Sequence, residues 1–140
     1  MRHLQILLAA GAVIFPPQIA SAGDIKVIAN STVTASAITA SELKNVFLVT
    51  TTSLSDGGHV EPVLEKRGAT HSAFLKQYIG KTDAALETYY RSLVFTGRAS
   101  MPKSFASDVE VSEYVAKTKG AIGYVSAGAS VAGVKTLDIR

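Results

Sequence analysis

The sequence predicts an α/β domain built on a mixed sheet, and three observations lead to it. Strand-like segments rich in β-branched residues alternate with segments whose apolar residues recur at helical spacing. Hydroxyl or acidic residues open the helical segments, and glycines close several of them. The chain has 140 residues, 47% apolar and 18% charged, which suits one packed domain and excludes a disordered or low-complexity chain. A helix between two strands is the usual crossover, so part of the strand pairing should be parallel.

Residues 24–29 alternate polar and apolar side chains and should form a strand with one face buried. Residues 30–37 are a polar connection. Thr39 followed three places on by Glu42 is a capping box ahead of Leu43, Val46 and Phe47, so a short helix ends near Phe47. The loop 49–58 closes with Asp56-Gly57-Gly58, whose glycines supply the positive φ angles of a tight turn. Residues 60–65 are a second strand, with Pro62 tolerable only at an edge or at the start of a ladder. From Thr70, the residues Phe74, Leu75, Tyr78 and Ile79 form one helical stripe that Gly80 stops. Thr82 or Asp83 caps another helix with Leu86, Tyr89, Tyr90, Leu93 and Val94 on its apolar face, ended by Gly97. Residues 98–106, with Pro102, read as a surface connection. Ser107 or Asp108 caps a helix carrying Val111, Tyr114 and Val115, Gly120 stops it, and short strands at 121–125 and 134–139 complete the chain.

Residues 1–22 read as a cleavable signal peptide. Met1-Arg2-His3 is a basic start, an apolar stretch runs from Leu4 to Phe15, Pro16-Pro17 breaks it, and Ala20-Ser21-Ala22 is a small-x-small cleavage signal. The stretch is short of the about 20 residues a spanning helix needs, so residues 23–140 are expected as one domain without membrane insertion. The sequence holds no cysteine, which excludes a lipid anchor at the cleavage point, disulfides and thiolate chemistry. A periplasmic or secreted protein that is not a lipoprotein is the expectation.

The 14 Lys and Arg and the 11 Asp and Glu are interspersed, with a net charge of +3, and no basic stripe is present to follow a nucleic-acid backbone. Nucleic acid is therefore not an expected partner. Outside the leader, His59 and His71 are the remaining imidazoles, with no metal-binding spacing, and Gly120-Ala121-Ile122-Gly123 lacks the order of a dinucleotide fingerprint. No metal and no cofactor are implied; close backbone packing accounts for those glycines.

Chemistry concentrates in Lys66-Arg67-Gly68-Ala69-Thr70-His71-Ser72, where a strand end meets a helix start. The first N–H groups of a helix lack intrahelical partners and carry partial positive charge, so they receive the oxygens of an anion. Thr70 and Ser72 add hydroxyl donors, and Lys66 or Arg67 adds charge. Two readings stand side by side: an oxyanion site at Arg67, Ala69, Thr70, His71 and Ser72, or a helix simply capped by Thr70 with solvated cations. His71 reads as a helix-start donor or a solvated side chain, because no hydrolase signature surrounds any serine. Asp56, Glu61 and Glu65 lie near in sequence without a sign that any two converge. No catalytic residue is assigned, and the chain reads as a non-enzyme. In Tyr89-Tyr90-Arg91 and Phe95-Thr96-Gly97-Arg98 the rings read as core and the arginines as surface, with Arg98 a weaker anion contact.

Several stretches, in order, resemble the phosphate-binding proteins of bacterial ABC importers and their short periplasmic relatives. Ser41-Glu42-Leu43-Lys44-Asn45-Val46-Phe47-Leu48, Asp56-Gly57 and Glu61-Pro62-Val63 match one phrase of that family; Ala69-Thr70-His71-Ser72-Ala73-Phe74 and Tyr90-Arg91-Ser92-Leu93-Val94-Phe95-Thr96-Gly97 with Pro102 match two more. Lys119-Gly120-Ala121-Ile122-Gly123-Tyr124-Val125 is similar to its "pGAIGYv", the most specific piece. The resemblance implies a single lobe of the type II periplasmic-binding-protein fold, with a mixed sheet of about four or five strands flanked by helices. It matches about the second of the family's two lobes, with the first lobe missing. It implies inorganic phosphate or a similar oxyanion as ligand, with Arg67 and Thr70 at the positions of the family's Arg and Ser-Gly-Thr group. The Ser-Gly pair itself is absent; the family's loop glycine is Val49 here, and its tryptophan is Leu54. A membrane permease, or a second copy completing the cleft, would be the protein partner. The competing reading is a protein-interaction or adaptor module of the cell envelope that has lost its ligand.

Overall fold

The computed structural model describes residues 24–140; the expected signal peptide lies outside the described residues. The elements are β1 (Ile25–Asn30), β2 (Ala37–Ile38), α1 (Ala40–Phe47), β3 (Glu61–Glu65), α2 (Ala69–Phe74) continued by a π-helical turn (Leu75–Ile79), α3 (Asp83–Phe95), β4 (Lys103–Phe105), α4 (Asp108–Lys117), β5 (Ala121–Ser126) and β6 (Val134–Ile139). The sheet runs β2-β6-β1-β5-β3-β4. β1 is antiparallel to both β5 and β6, while β3 is parallel to β5 and β4. The mixed α/β sheet is as expected; it has six strands because two short edge strands, β2 and β4, lie in segments that read as connections. Neither carries the length or alternation that marks a strand in sequence, and each is held by a neighbour distant in the chain.

Both faces of the sheet are covered. Val27, Ala29, Ile122 and Tyr124 bury one face with Leu43 and Phe47 of α1, Phe74 of α2 and Leu86 and Tyr90 of α3. Ile28, Val63, Ala121 and Val125 bury the other with Val111 and Val115 of α4. The alternation of Val27 and Ala29 against Ile28 is the two-residue period of a strand. Phe74 stacks on Tyr124 at 3.8 Å between ring centroids, and Phe47 meets Phe74 edge-on at 4.7 Å.

Local chemistry sets most boundaries. Thr39 and Glu42 make the expected reciprocal capping box, and Thr82 and Ser107 cap α3 and α4. Pro62 pairs with Ile122 of β5 before β4 begins beside Val63, so its missing N–H falls where no neighbour needs it. Gly57 has the positive φ expected of the turn, whereas Gly58 does not. Two expectations fail on α3. Val94, placed on its apolar face, is 46% exposed, and Phe95, read as core, is 93% exposed. The helix ends on the rim of the core, where Leu93 still packs against it while Val94 and Phe95 point away.

The end of α1 stores strain. Val49 N–H bonds to Val46 C=O and Thr50 N–H to Asn45 C=O, a Schellman motif whose left-handed residue is Val49 at φ 56°. A β-branched residue there costs about 1–2 kcal/mol, partly offset by its packing against the core. Val49→Gly should raise the unfolding free energy by about 0.5–1 kcal/mol, and Val49→Ala should not, in urea unfolding followed by circular dichroism.

Candidate functional site

The helix start at Ala69 is built differently from a simple cap. Gly68 occupies the N-cap position at φ 106°, with no side-chain cap, and Thr70 lies inside the first turn. Thr70 is therefore not the cap. The first helical bond is Ser72 N–H to Gly68 C=O, and among the described residues no protein acceptor meets the N–H groups of Ala69, Thr70 and His71. Lys66, Arg67, Gly68 and Ala69 are exposed, Thr70 is half-buried and Ser72 is exposed.

His71 turns inward instead. It is buried at 4% exposure, its Nδ1 2.5 Å from the Tyr124 hydroxyl and its Nε2 2.9 Å from Asp83 Oδ1. A carboxylate facing Nε2 calls for a hydrogen on that nitrogen, so the neutral ring takes the Tyr124 O–H on Nδ1. Tyr124 also accepts the Glu65 N–H at 3.0 Å. Of the two readings from sequence, a helix-start donor or a solvated side chain, the second fails: His71 is buried and acts as a pin joining α2, α3, β3 and β5. Burial pushes the Tyr124 phenol well up, so it keeps its proton and is no nucleophile.

Two carboxyl groups do converge, though not two of the three near each other in sequence. Asp56 bonds to Thr34, and Glu61 accepts from Tyr114 at 2.7 Å. Glu65, buried at 5% exposure, meets Asp108 at the start of α4. Burial, then the hydrogen bond and charge of Asp108, push Glu65 up to about 8. Burial opposes, but bonds from Glu65 and Ser126 bring Asp108 below its usual value. Glu65 therefore carries the shared proton at neutral pH. The signal in sequence is weak: an acid closing a buried strand.

A cavity of about 290 Å³ opens beside this cluster, between β3, α2, α3 and the segment 101–104, with Lys66 and His71 in its lining. Ser72 lines another, wider hollow with Lys76 and Lys81. Of the site residues expected from sequence, contiguous at one helix start, His71 lines the first hollow and Ser72 the second, while Arg67, Ala69 and Thr70 line neither. Among the described residues no group of acids and imidazoles is arranged to hold a metal ion, and no helix is long and apolar enough to cross a membrane.

This arrangement of sheet and helices recurs in solved structures. An ABC-type phosphate transport receptor from Vibrio cholerae superposes with a TM-score of 0.64 at 16% identity, over 83% of this chain and 46% of the receptor. The fold is that of the phosphate-transport receptors. A protein of Clostridium perfringens assigned as a phosphate ABC transporter substrate-binding protein, solved with bound phosphate, gives 0.65 at 15% identity over 83% of this chain and 44% of its own. PstS from Borrelia burgdorferi gives 0.62 at 14%, over 84% and 47%. The chain spans less than half the length of these receptors. No family model and no curated protein matches it.

Proposed function

We propose that this chain is an exported solute-binding module that recognises phosphate or a similar tetrahedral oxyanion, working with an ABC-type importer. One observation carries the reading: three unpartnered amides, of Ala69, Thr70 and His71, open a helix beside the exposed cations Lys66 and Arg67. The receptor fold supports it, and so does the hydroxyl of Thr70 beside those amides. His71 contributes its N–H, since its ring is engaged elsewhere.

An open shelf limits affinity. Charge-assisted bonds reach roughly 1.5–3 kcal/mol each when desolvated, but on an exposed face they are worth less, and millimolar binding of about 4 kcal/mol is the ceiling for one copy. A second copy, or a permease, would raise it by closing over the anion. Titration calorimetry with phosphate and sulfate is expected to give a dissociation constant near 1 mM. The double variant Arg67→Ala, Thr70→Ala should weaken it about tenfold. No heat from either anion at tens of millimolar would remove the ligand claim.

A second reading, an envelope adaptor, is favoured by a different observation. Phe95 is 93% exposed, and Val94 and Met101 are each nearly half exposed around the end of α3. A stoichiometric envelope partner retained by the Arg67→Ala, Thr70→Ala variant and lost by Phe95→Ser would favour it.

A further inference from the structure

The large apolar side chains that the fold leaves outside are not scattered. Among the described residues they are Val94, Phe95, Met101 and Val109, and the first three fall at the end of α3 and in the segment leading to β4. Phe95 stands about two and a half turns beyond the buried Leu86, so it points away from the core face of the helix. The N–H groups of Arg98 and Ala99 bond to the Leu93 carbonyl, which folds the chain back over the helix end and keeps Arg98 beside this tip. Met101 lines the same hollow as Tyr90, so the segment runs back along α3.

Charge is segregated at the same place. Acids and cations are interspersed elsewhere, but residues 88–107 include Arg91, Arg98 and Lys103 and no acid. Arg91 pairs with Glu87 at 2.6 Å; Arg98 and Lys103 are exposed and, among the described residues, have no ion-pair partner. An apolar tip flanked by unpaired cations fits a partner that is anionic at its surface and apolar just beneath. A stable protein interface buries about 800 Å² on each side, whereas one Phe supplies about 150–250 Å², and Val94 and Met101 are only about half exposed. Phe95 also protrudes with no wall beside it, so a protein partner would have to bring the whole pocket. A lipid layer needs no matching shape.

We propose that the end of α3 is a peripheral contact with an anionic lipid surface. Phe95 enters the boundary between headgroups and acyl chains, Val94 and Met101 rest on it, and Arg98 and Lys103 lay their aliphatic stems along it with their charges at the lipid phosphates. One ring and two cations make a weak, reversible anchor, and among the described residues no helix is long and apolar enough to cross a membrane. The contact does not depend on the oxyanion reading, because none of its residues belongs to the α2 start.

Sedimentation of residues 23–140, which hold the whole fold, with lipid vesicles tests it; the leader is left off because its apolar stretch would itself bind lipid. Vesicles of phosphatidylcholine with one part in about three of phosphatidylglycerol should bind at least about tenfold more tightly than phosphatidylcholine alone. Phe95→Ser should weaken binding to the mixed vesicles about tenfold, and the pair Arg98→Gln, Lys103→Gln should do the same. All three side chains are exposed, so the circular dichroism of these variants should match the parent. The pair Lys117→Gln, Lys119→Gln removes equal charge at the other end of α4 and should change binding by less than about threefold. No binding to the mixed vesicles, a Phe95→Ser chain that binds like the parent, or equal losses in the two lysine- and arginine-altered pairs would overturn the proposal. Capture of an envelope protein through Phe95 without vesicle binding would overturn it too, and would give this surface to the adaptor reading.

Discussion

Gly120→Ala is expected to lower the unfolding free energy by about 3 kcal/mol or more, enough to leave much of the chain unfolded. Gly120 has φ 74°, a backbone conformation that costs an L side chain about 1–2 kcal/mol by itself. An added Cβ would stand 2.5 Å from the His59 carbonyl oxygen, and that carbonyl is backbone rather than a yielding side-chain tip. The same residue accepts the Glu61 N–H that starts β3 and donates to Thr32 Oγ1 at 3.0 Å. A shift to relieve the clash would therefore loosen the β3–β5 pairing on which the site is built. Gly123→Ala should cost less, about 1–3 kcal/mol, since its Cβ would meet the methyl groups of Val111 and Val115 at 2.9 and 3.2 Å. Urea unfolding of both variants checks the order; a Gly120→Ala chain within about 1 kcal/mol of the parent would contradict the close approach.

Raising the pH from about 4.5 to 8 should destabilise the protein through Glu65. The folded state holds this proton up to about 8, whereas the unfolded chain releases it near the ordinary value of 4.5. The unfolded state thus binds fewer protons across that window, and stability falls as pH rises, by at most about 1.4 kcal/mol per unit. Asp108 acts in the opposite sense at lower pH: its depressed value contributes stability that is lost as pH falls below the ordinary carboxylate range. The two slopes put the most stable pH of this pair near the lower end of the window. Glu65→Gln keeps a hydrogen for Asp108 and removes the titration. Its unfolding free energy should be flat between pH 5 and 8, and at pH 8 it should exceed that of the parent by about 2 kcal/mol or more. Parallel pH profiles for parent and variant would refute the assignment of the proton to Glu65.

The helix α2 shows how much of the site is legible in sequence. The strand end, the helix start and the concentration of donors from Lys66 to Ser72 are legible, because each depends on neighbours a few residues away. The cap is not: Thr70 has the right chemistry for that role, yet Gly68 takes the position at a φ that glycine alone adopts readily. The π-helical turn after Phe74 is not legible either, since the stripe Phe74, Leu75, Ile79 is the same for an uninterrupted helix.

Other elements divide in the same way. The capping box of α1, the Thr82 and Ser107 caps and the stops at Gly80 and Gly97 are short-range chemistry, and sequence alone determines them; α4 ends instead at Lys117, where Thr118 turns extended ahead of Gly120. The alternation of strands and helices and the absence of thiol chemistry are likewise determined by sequence alone. Only the tertiary structure decided that β2 and β4 join the sheet, that Phe95 faces solvent and that His71 is clasped by Tyr124 and Asp83. It alone also brought Glu65 to Asp108 and placed Lys66, Asp83 and Glu87 around one cavity. Those outcomes depend on which distant segments meet when both faces of the sheet are covered. A residue's own neighbours in the chain constrain its backbone but not the group that arrives opposite its side chain.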